Sequence, residues 1–248
     1  MLWARGPDGD RPGGAAWLRV ADGVVGLAPP GAPLGPLWVR RAEPWPVLVE
    51  GDTVLVDDAG LRASDGTIVV ERHHASSWLG PLPDPASLAA ATSRALISEA
   101  LDSCQTSVLL SPPWQAAAQS ALVMLGRGAP LDSLTEVARA LGGLGPGLTP
   151  AGDDALSGIL FACRSLGGPT VEPALGAVAR SARTGDVGAA VLEAAASGFH
   201  IEPVHDLVLA AAAGDRTAAE VAAAALDRFG SSSGADIAYG LRLAFTRL

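Results

Sequence analysis

The chain has 248 residues, a formal net charge of −9, 49% hydrophobic side chains and no lysine. Its acidity excludes duplex nucleic acid as a partner, because the phosphate backbone must be neutralised by basic groups. The missing lysine excludes phosphate-loop nucleotide hydrolysis and Schiff-base or pyridoxal chemistry, each of which needs an amine. A bound anion must be held by backbone N–H groups, hydroxyls or arginine.

No run of about 18 strongly apolar residues suggests a membrane span. Residues 1–16 are rich in Gly, Pro, Asp and Arg and lack the apolar core of a secretory signal, so the expected location is the cytoplasm. The two cysteines, Cys104 and Cys163, show no metal or redox spacing and read as buried thiols.

In chain order, residues 1–80 read as a β-rich domain with a barrel-like or sandwich-like arrangement. Short runs rich in β-branched residues at 17–20, 24–27, 37–40, 47–49, 53–56 and 67–70 are the strand candidates. Asp65-Gly66 is a hairpin-type turn signal. His73-His74 follows at the end of this domain with no recognisable chemistry, and the six tryptophans read as packing groups. Residues 78–85 hold three prolines and read as a stiff linker.

Residues 86–248 read as a mainly α-helical domain, which makes the fold class α+β. Helical periodicity marks 87–105, 114–126, 131–141, 150–166, 171–182, 187–197, 203–213, 215–229 and 234–246. No repeat period is evident.

The richest stretch is Gly145-Pro146-Gly147-Leu148-Thr149-Pro150-Ala151-Gly152-Asp153-Asp154. Thr149 reads as a helix N-cap, with Pro150 at the first helical position, where a missing N–H costs nothing. A glycine loop running into a helix start offers unpaired N–H groups and a partial positive charge to phosphate or carboxylate. Asp153 and Asp154 read either as complements to the helix dipole or as acid–base groups.

Gly230-Ser231-Ser232-Ser233-Gly234-Ala235-Asp236 is a second small-residue loop before a helix, with three hydroxyls suited to an anion or a small polar ligand. Ser181-Ala182-Arg183-Thr184-Gly185 places Arg183 beside a helix start, where it is able to pair with an anion. His200, Glu202 and His205 cluster near another helix start, and His205 is the better candidate for proton transfer. Gly230–Gly234 spells Gly-x-Ser-x-Gly but follows a helical segment rather than a strand, so it is no nucleophile elbow, and no dinucleotide-binding glycine pattern is present.

The run from Gly145 to Asp154, followed by Gly158, resembles the hallmark of a bacterial domain-of-unknown-function family that contains the AllH-type subunit of oxamate carbamoyltransferase, which acts in allantoin degradation. The Gly230–Asp236 loop is similar to that family's second motif, and Ala194–Asp206 to the stretch between them.

The resemblance implies a cytoplasmic transferase subunit of purine catabolism. It would move a carbamoyl group between oxalurate or oxamate and phosphate and would work with sister subunits. Ser181–Thr184 also matches the Ser-x-Arg-Thr pattern with which carbamoyltransferases of another fold hold carbamoyl phosphate. There the pattern follows a strand, whereas here it follows a helix, so shared chemistry would be convergent.

The expected site then takes a small anion: phosphate, carbamoyl phosphate or a carboxylate. Its binding residues are Gly145, Gly147, Thr149, Gly152, Arg183, Thr184, Ser231, Ser232, Ser233 and Gly234, and its catalytic residues are Asp153, Asp154 and His205. The sequence requires no cofactor. Magnesium is compatible, with Asp153 and Asp154 as its ligands. Two other readings remain open at this point: a non-catalytic binding or regulatory subunit, and a family member acting on a different small carboxylate or amide in a biosynthetic pathway.

Overall fold

The computed structural model describes residues 2–5, 16–20, 23–28, 32–40, 53–57, 60–63, 68–71, 78, 80–125 and 131–247. The chain forms two units, Met1–Leu79 and Gly80–Leu248. Sheet lies in the first and helix in the second, an α+β layout.

In the first unit, β1 (Leu2–Arg5), β2 (Ala16–Val20), β3 (Gly23–Ala28) and β4 (Trp38–Arg40) form one sheet in that order. The β3–β4 pair is parallel and the others antiparallel. β5 (Val54–Asp57), β6 (Gly60–Ala63) and β7 (Ile68–Glu71) form a second, antiparallel sheet.

The described strands make two small sheets that do not close into a barrel, one of the two arrangements expected from the sequence. Leu18 and Leu27 are fully buried, and Trp17 packs on Trp38 with ring centroids 4.4 Å apart. β1 and β6 escape the sequence pattern because neither alternates clearly. The 47–49 strand candidate, the Asp65-Gly66 turn and His73-His74 lie outside the described residues.

The second unit opens at α1 (Pro85–Ala89), with Pro85 in its first turn and Asp84 accepting from the Ser87 N–H at 3.1 Å. The helix expected over 87–105 divides here. Ala90 is extended (ψ 138°), and α2 (Ala91–Leu101) follows. The Ser93 hydroxyl spans the break by donating to the Ser87 carbonyl at 2.9 Å.

A short 3-10 turn, Val108–Leu110, precedes α3 (Gln115–Leu125) and α4 (Leu131–Leu141). Then come α5 (Ala151–Gly167), α6 (Glu172–Ser181), α7 (Asp186–Ala196), α8 (Glu202–Ala213), α9 (Arg216–Asp227) and α10 (Ser233–Arg247).

α5 is the central helix. Every residue from Ala151 to Ala162 is buried, as expected of a helix surrounded by others, and its main neighbours are α10 and α7. Each fully buried Leu, Ile or Phe here contributes about 1.5–3 kcal/mol of transfer free energy. None of the described helices is long and apolar enough to cross a membrane.

The structure contains a repeat that the sequence pattern hides. Leu141 ends α4, and three residues later the Leu144 carbonyl accepts from the Gly152 N–H at 2.7 Å. Leu226 lies at the end of α9, and three residues later the Phe229 carbonyl accepts from the Gly234 N–H at 2.9 Å. Each of these carbonyls precedes a left-handed glycine, Gly145 (φ 110°) or Gly230 (φ 65°).

A Cβ on Gly152 would strike the Leu141 carbonyl, and one on Gly234 the Leu226 carbonyl. Six residues on, a Cβ on Gly158 would meet the Ile237 carbonyl at 2.5 Å, and one on Gly240 would strike the Ala155 carbonyl. The α4–α5 and α9–α10 units are thus related by a local pseudo-two-fold at the Gly158–Gly240 crossing, which matches Asp154 to Asp236. The intervening loops differ in length, so no constant sequence period exists.

Candidate functional site

α5 begins one residue later than the sequence suggests. Pro150, not Thr149, is the N-cap; it is extended (ψ 147°), and its carbonyl accepts from the N–H groups of Asp153 at 2.8 Å and Asp154 at 3.1 Å. The left-handed turns at Gly145 and Gly147 (φ 102°) set this path. They leave the Thr149 hydroxyl free of capping, and it donates instead to Asp154 Oδ2 at 3.5 Å.

The glycines of the two motifs divide by role. Gly152 and Gly234 permit close backbone packing, with their N–H groups already bonded. Gly147 is exposed, and a Cβ there would meet only the Thr149 carbonyl, at 3.5 Å. It is the motif glycine with room for a ligand against its backbone.

Asp153 is fully buried. Its Oδ1 accepts from the Gly143 N–H at 2.8 Å, and its Oδ2 accepts from the Thr184 hydroxyl. A Cβ on Gly188 of α7 would strike both Asp153 Oδ2 and Thr184 Oγ1, so only glycine fits beside this pair. Desolvation raises the Asp153 carboxyl above the ordinary range, partly offset by Thr184 and Gly143.

Asp154 is buried and is pushed well above the ordinary carboxylate range, first by desolvation and further by the charges of Asp236 and Asp153. The hydroxyls of Ser233 and Thr149 act the other way. Residues of the two motif loops therefore meet at Asp154.

Asp236, which the sequence reading left out of the site, has no exposed surface. Its Oδ1 accepts from the Ser107 hydroxyl at 2.5 Å and the Val108 N–H at 3.0 Å. Its Oδ2 is buried with no hydrogen-bond partner. Desolvation raises this carboxyl too, against the donors Ser107, Val108, Ser232 and Leu109. A sequence signal for it did exist: Gly152-Asp153-Asp154 and Gly234-Ala235-Asp236 both place an aspartate two residues after a glycine in the first helical turns.

Arg183 is exposed, while its backbone packs on Gly142 and Gly143 beside the Thr184–Asp153 pair. Ser231 is exposed, and Ser232 and Ser233 are half-buried.

His205 lies elsewhere, buried on α8 edge-to-face against Phe161 with centroids 5.0 Å apart. Its Nε2 accepts from the His200 N–H at 3.0 Å, so its protonated Nδ1 donates to the Pro81 carbonyl at 2.9 Å. His200 Nδ1 accepts from the Ile201 N–H at 2.9 Å, so its Nε2 donates to Ser157 Oγ at 3.0 Å. Ser157 donates in turn to the Asp154 carbonyl at 2.7 Å. Burial lowers both histidines, His200 to about 3.

Among the described residues, no group of three or more His, Cys, Asp or Glu is arranged to hold a metal. Asp153 turns both oxygens to protein donors, and Asp154 meets the hydroxyls of Thr149 and Ser233.

Comparison with curated proteins and with solved structures gives no match for the chain. Residues 141–245, from the last residue of α4 through most of α10, match the family model described as oxamate carbamoyltransferase subunit AllH, and both motif loops, Thr184 and all three buried aspartates fall within that match.

Proposed function

We propose that the chain is a subunit of an oxamate carbamoyltransferase, acting with sister subunits, in which the two motif loops hold a small anionic substrate beside Asp154. The observation that carries this reading is the meeting of Thr149 and Ser233 at a buried carboxyl inside the family-matched segment.

In the direction of oxalurate breakdown, a phosphate oxygen attacks the carbamoyl carbon. The O–C bond forms, the C–N bond breaks, and the oxamate nitrogen leaves after taking a proton. Asp154 suits this transfer because burial keeps its carboxyl protonated at a pH where a solvated aspartate is ionised. The proton released by hydrogen phosphate restores that carboxyl, and the reverse reaction retraces the path. Gly147 lets phosphate approach the backbone, and Arg183 pairs with its charge.

We assign Asp153 and His205 to structure rather than to chemistry. Both oxygens of Asp153 and both ring nitrogens of His205 are taken by protein groups.

The test is carbamoyl phosphate formation from oxalurate and phosphate by the chain assembled with its sister subunits. Activity in wild type that is lost in Asp154→Asn, with circular dichroism unchanged, supports the reading. Full activity in that variant removes Asp154 from the reaction.

A further inference from the structure

Ser181-Ala182-Arg183-Thr184 runs from the end of α6 toward α7, and two of its three polar side chains are committed to the protein. The Ser181 hydroxyl donates to the Val178 carbonyl at 2.7 Å, back into its own helix. The Thr184 hydroxyl donates to Asp153 Oδ2. Arg183 differs from both. It is exposed, and among the described residues no hydrogen bond or ion pair holds its guanidinium.

The backbone of Arg183, by contrast, is fixed. A Cβ on Gly142 would come 2.8 Å from the Arg183 nitrogen, and one on Gly143 would come 2.5 Å from the Arg183 carbonyl oxygen. The two segments therefore lie in direct backbone contact. Asp153 ties them together: its Oδ1 accepts from the Gly143 N–H at 2.8 Å and its Oδ2 from Thr184. A Cβ on Gly188 would strike this pair from the other side. One buried carboxyl thus joins the start of the glycine loop to residue 184, and the residue before it carries an unpaired cation.

A ligand that pairs with an arginine on a mobile loop must order that loop. A ligand that meets the same group on a fixed backbone gives up less entropy and binds more tightly. The Thr184 hydroxyl is spent on this fixing, so it is not itself a donor to the ligand.

We propose that Thr184 is a positioning residue: its bond to Asp153 fixes the Arg183 backbone against Gly142 and Gly143 and thereby sets the affinity of the site for phosphate. The inference rests on the carbamoyltransferase reading, in which Arg183 pairs with that anion.

The experiment is steady-state kinetics of carbamoyl phosphate formation by the chain assembled with its sister subunits, with phosphate and oxalurate varied in turn. Thr184→Val keeps the shape of the side chain and removes its donor. It is expected to raise the KM for phosphate about threefold, the size expected when an exposed charge pair is weakened. The KM for oxalurate and kcat stay at their wild-type values. Thr184→Ser keeps the hydroxyl and is expected to restore the KM for phosphate. In an Arg183→Ala background, Thr184→Val is expected to add no further change, because it acts through that side chain.

A merely structural Thr184 would move both KM values together or the thermal midpoint alone, and its effect would persist without Arg183. Should Thr184→Val not fold, Thr184→Ala removes the same donor without placing a methyl against the carboxyl, and it carries the same expectation. An unchanged KM for phosphate in a folded variant, or an effect that persists in the Arg183→Ala background, overturns the inference and leaves the functional reading standing. Absence of carbamoyl phosphate formation by wild type overturns both.

Discussion

Two buried polar clusters share α5, and they are built on opposite principles. One turn into the helix, Ser157, His200 and His205 form a closed chain from the Asp154 carbonyl to Pro81, with every ring nitrogen bonded and both tautomers fixed. At the helix start, desolvation raises the carboxyls of Asp153, Asp154 and Asp236, the charges of the other two raise Asp154 further, and one oxygen of Asp236 lacks a donor. A saturated network specifies a structure, whereas an unsaturated one stores a need that a ligand meets. In our reading histidine, the residue type that most suggests catalysis, is structural, and the less conspicuous Asp154 carries the chemistry.

The largest expected effect separates the clusters by activity. Asp154→Asn lowers kcat of the assembled enzyme about a hundredfold or more. Its stability moves the other way. The folded state holds the Asp154 proton more tightly than the unfolded chain, so this group's contribution is present at low pH and lost as pH rises from the ordinary carboxylate range through the raised folded value. Urea unfolding at pH 5 and pH 8 is expected to show less loss of stability with rising pH in the variant than in wild type. An unchanged kcat makes the acid cluster as structural as the histidines.

Next in size is the crossing that keeps both clusters in place. Gly240→Ala drives a methyl into the Ala155 carbonyl, and Gly158→Ala drives one into that of Ile237. Each is expected to cost about 1–3 kcal/mol, read as a drop in thermal midpoint of about 2–4 °C per kcal/mol. The pseudo-two-fold requires losses of similar size, and a silent variant on one side breaks the equivalence of the two halves.

The histidine cluster is expected to give the opposite pH signature. His200 is lowered from 6.5 to about 3, so the unfolded chain binds the proton first as pH falls. Stability from this group is complete above pH 6.5 and declines below it, by about 1.4 kcal/mol per pH unit at most. His200→Gln flattens that acid limb and leaves kcat near wild type, and a large fall in kcat with folding intact contradicts the structural assignment.

The smallest effect is at the exposed rim. Arg183→Ala changes stability by less than about 0.5 kcal/mol but weakens phosphate binding about threefold. Equal phosphate affinity in the variant places the anion away from Arg183.

Much of this was legible in the residues. Apolar periodicity located the helices of the second unit, and glycine and proline punctuation marked the starts of α5 and α10, because both signals are local. Thr149 misled by one residue: a threonine before proline resembles an N-cap, but its hydroxyl was claimed by Asp154. The repeat was missed because the path from Leu144 to Gly152 is longer than that from Phe229 to Gly234. The conserved feature is a pair of carbonyl contacts, which no side-chain pattern records.

By itself, the sequence determined that the protein divides into a sheet region and a helical region, that it has no lysine for amine chemistry, and that two small-residue loops open onto helices. Each of these follows from composition or from neighbours along the chain. Only the tertiary structure decided which polar groups are satisfied. His205 is closed by Pro81 and by the backbone of His200, Asp153 by Gly143 and Thr184, and Asp236 is left one donor short. Hydrogen-bond saturation and desolvation depend on partners distant in sequence, and they, rather than residue type, separate a buried acid that holds a loop from one that is free to act.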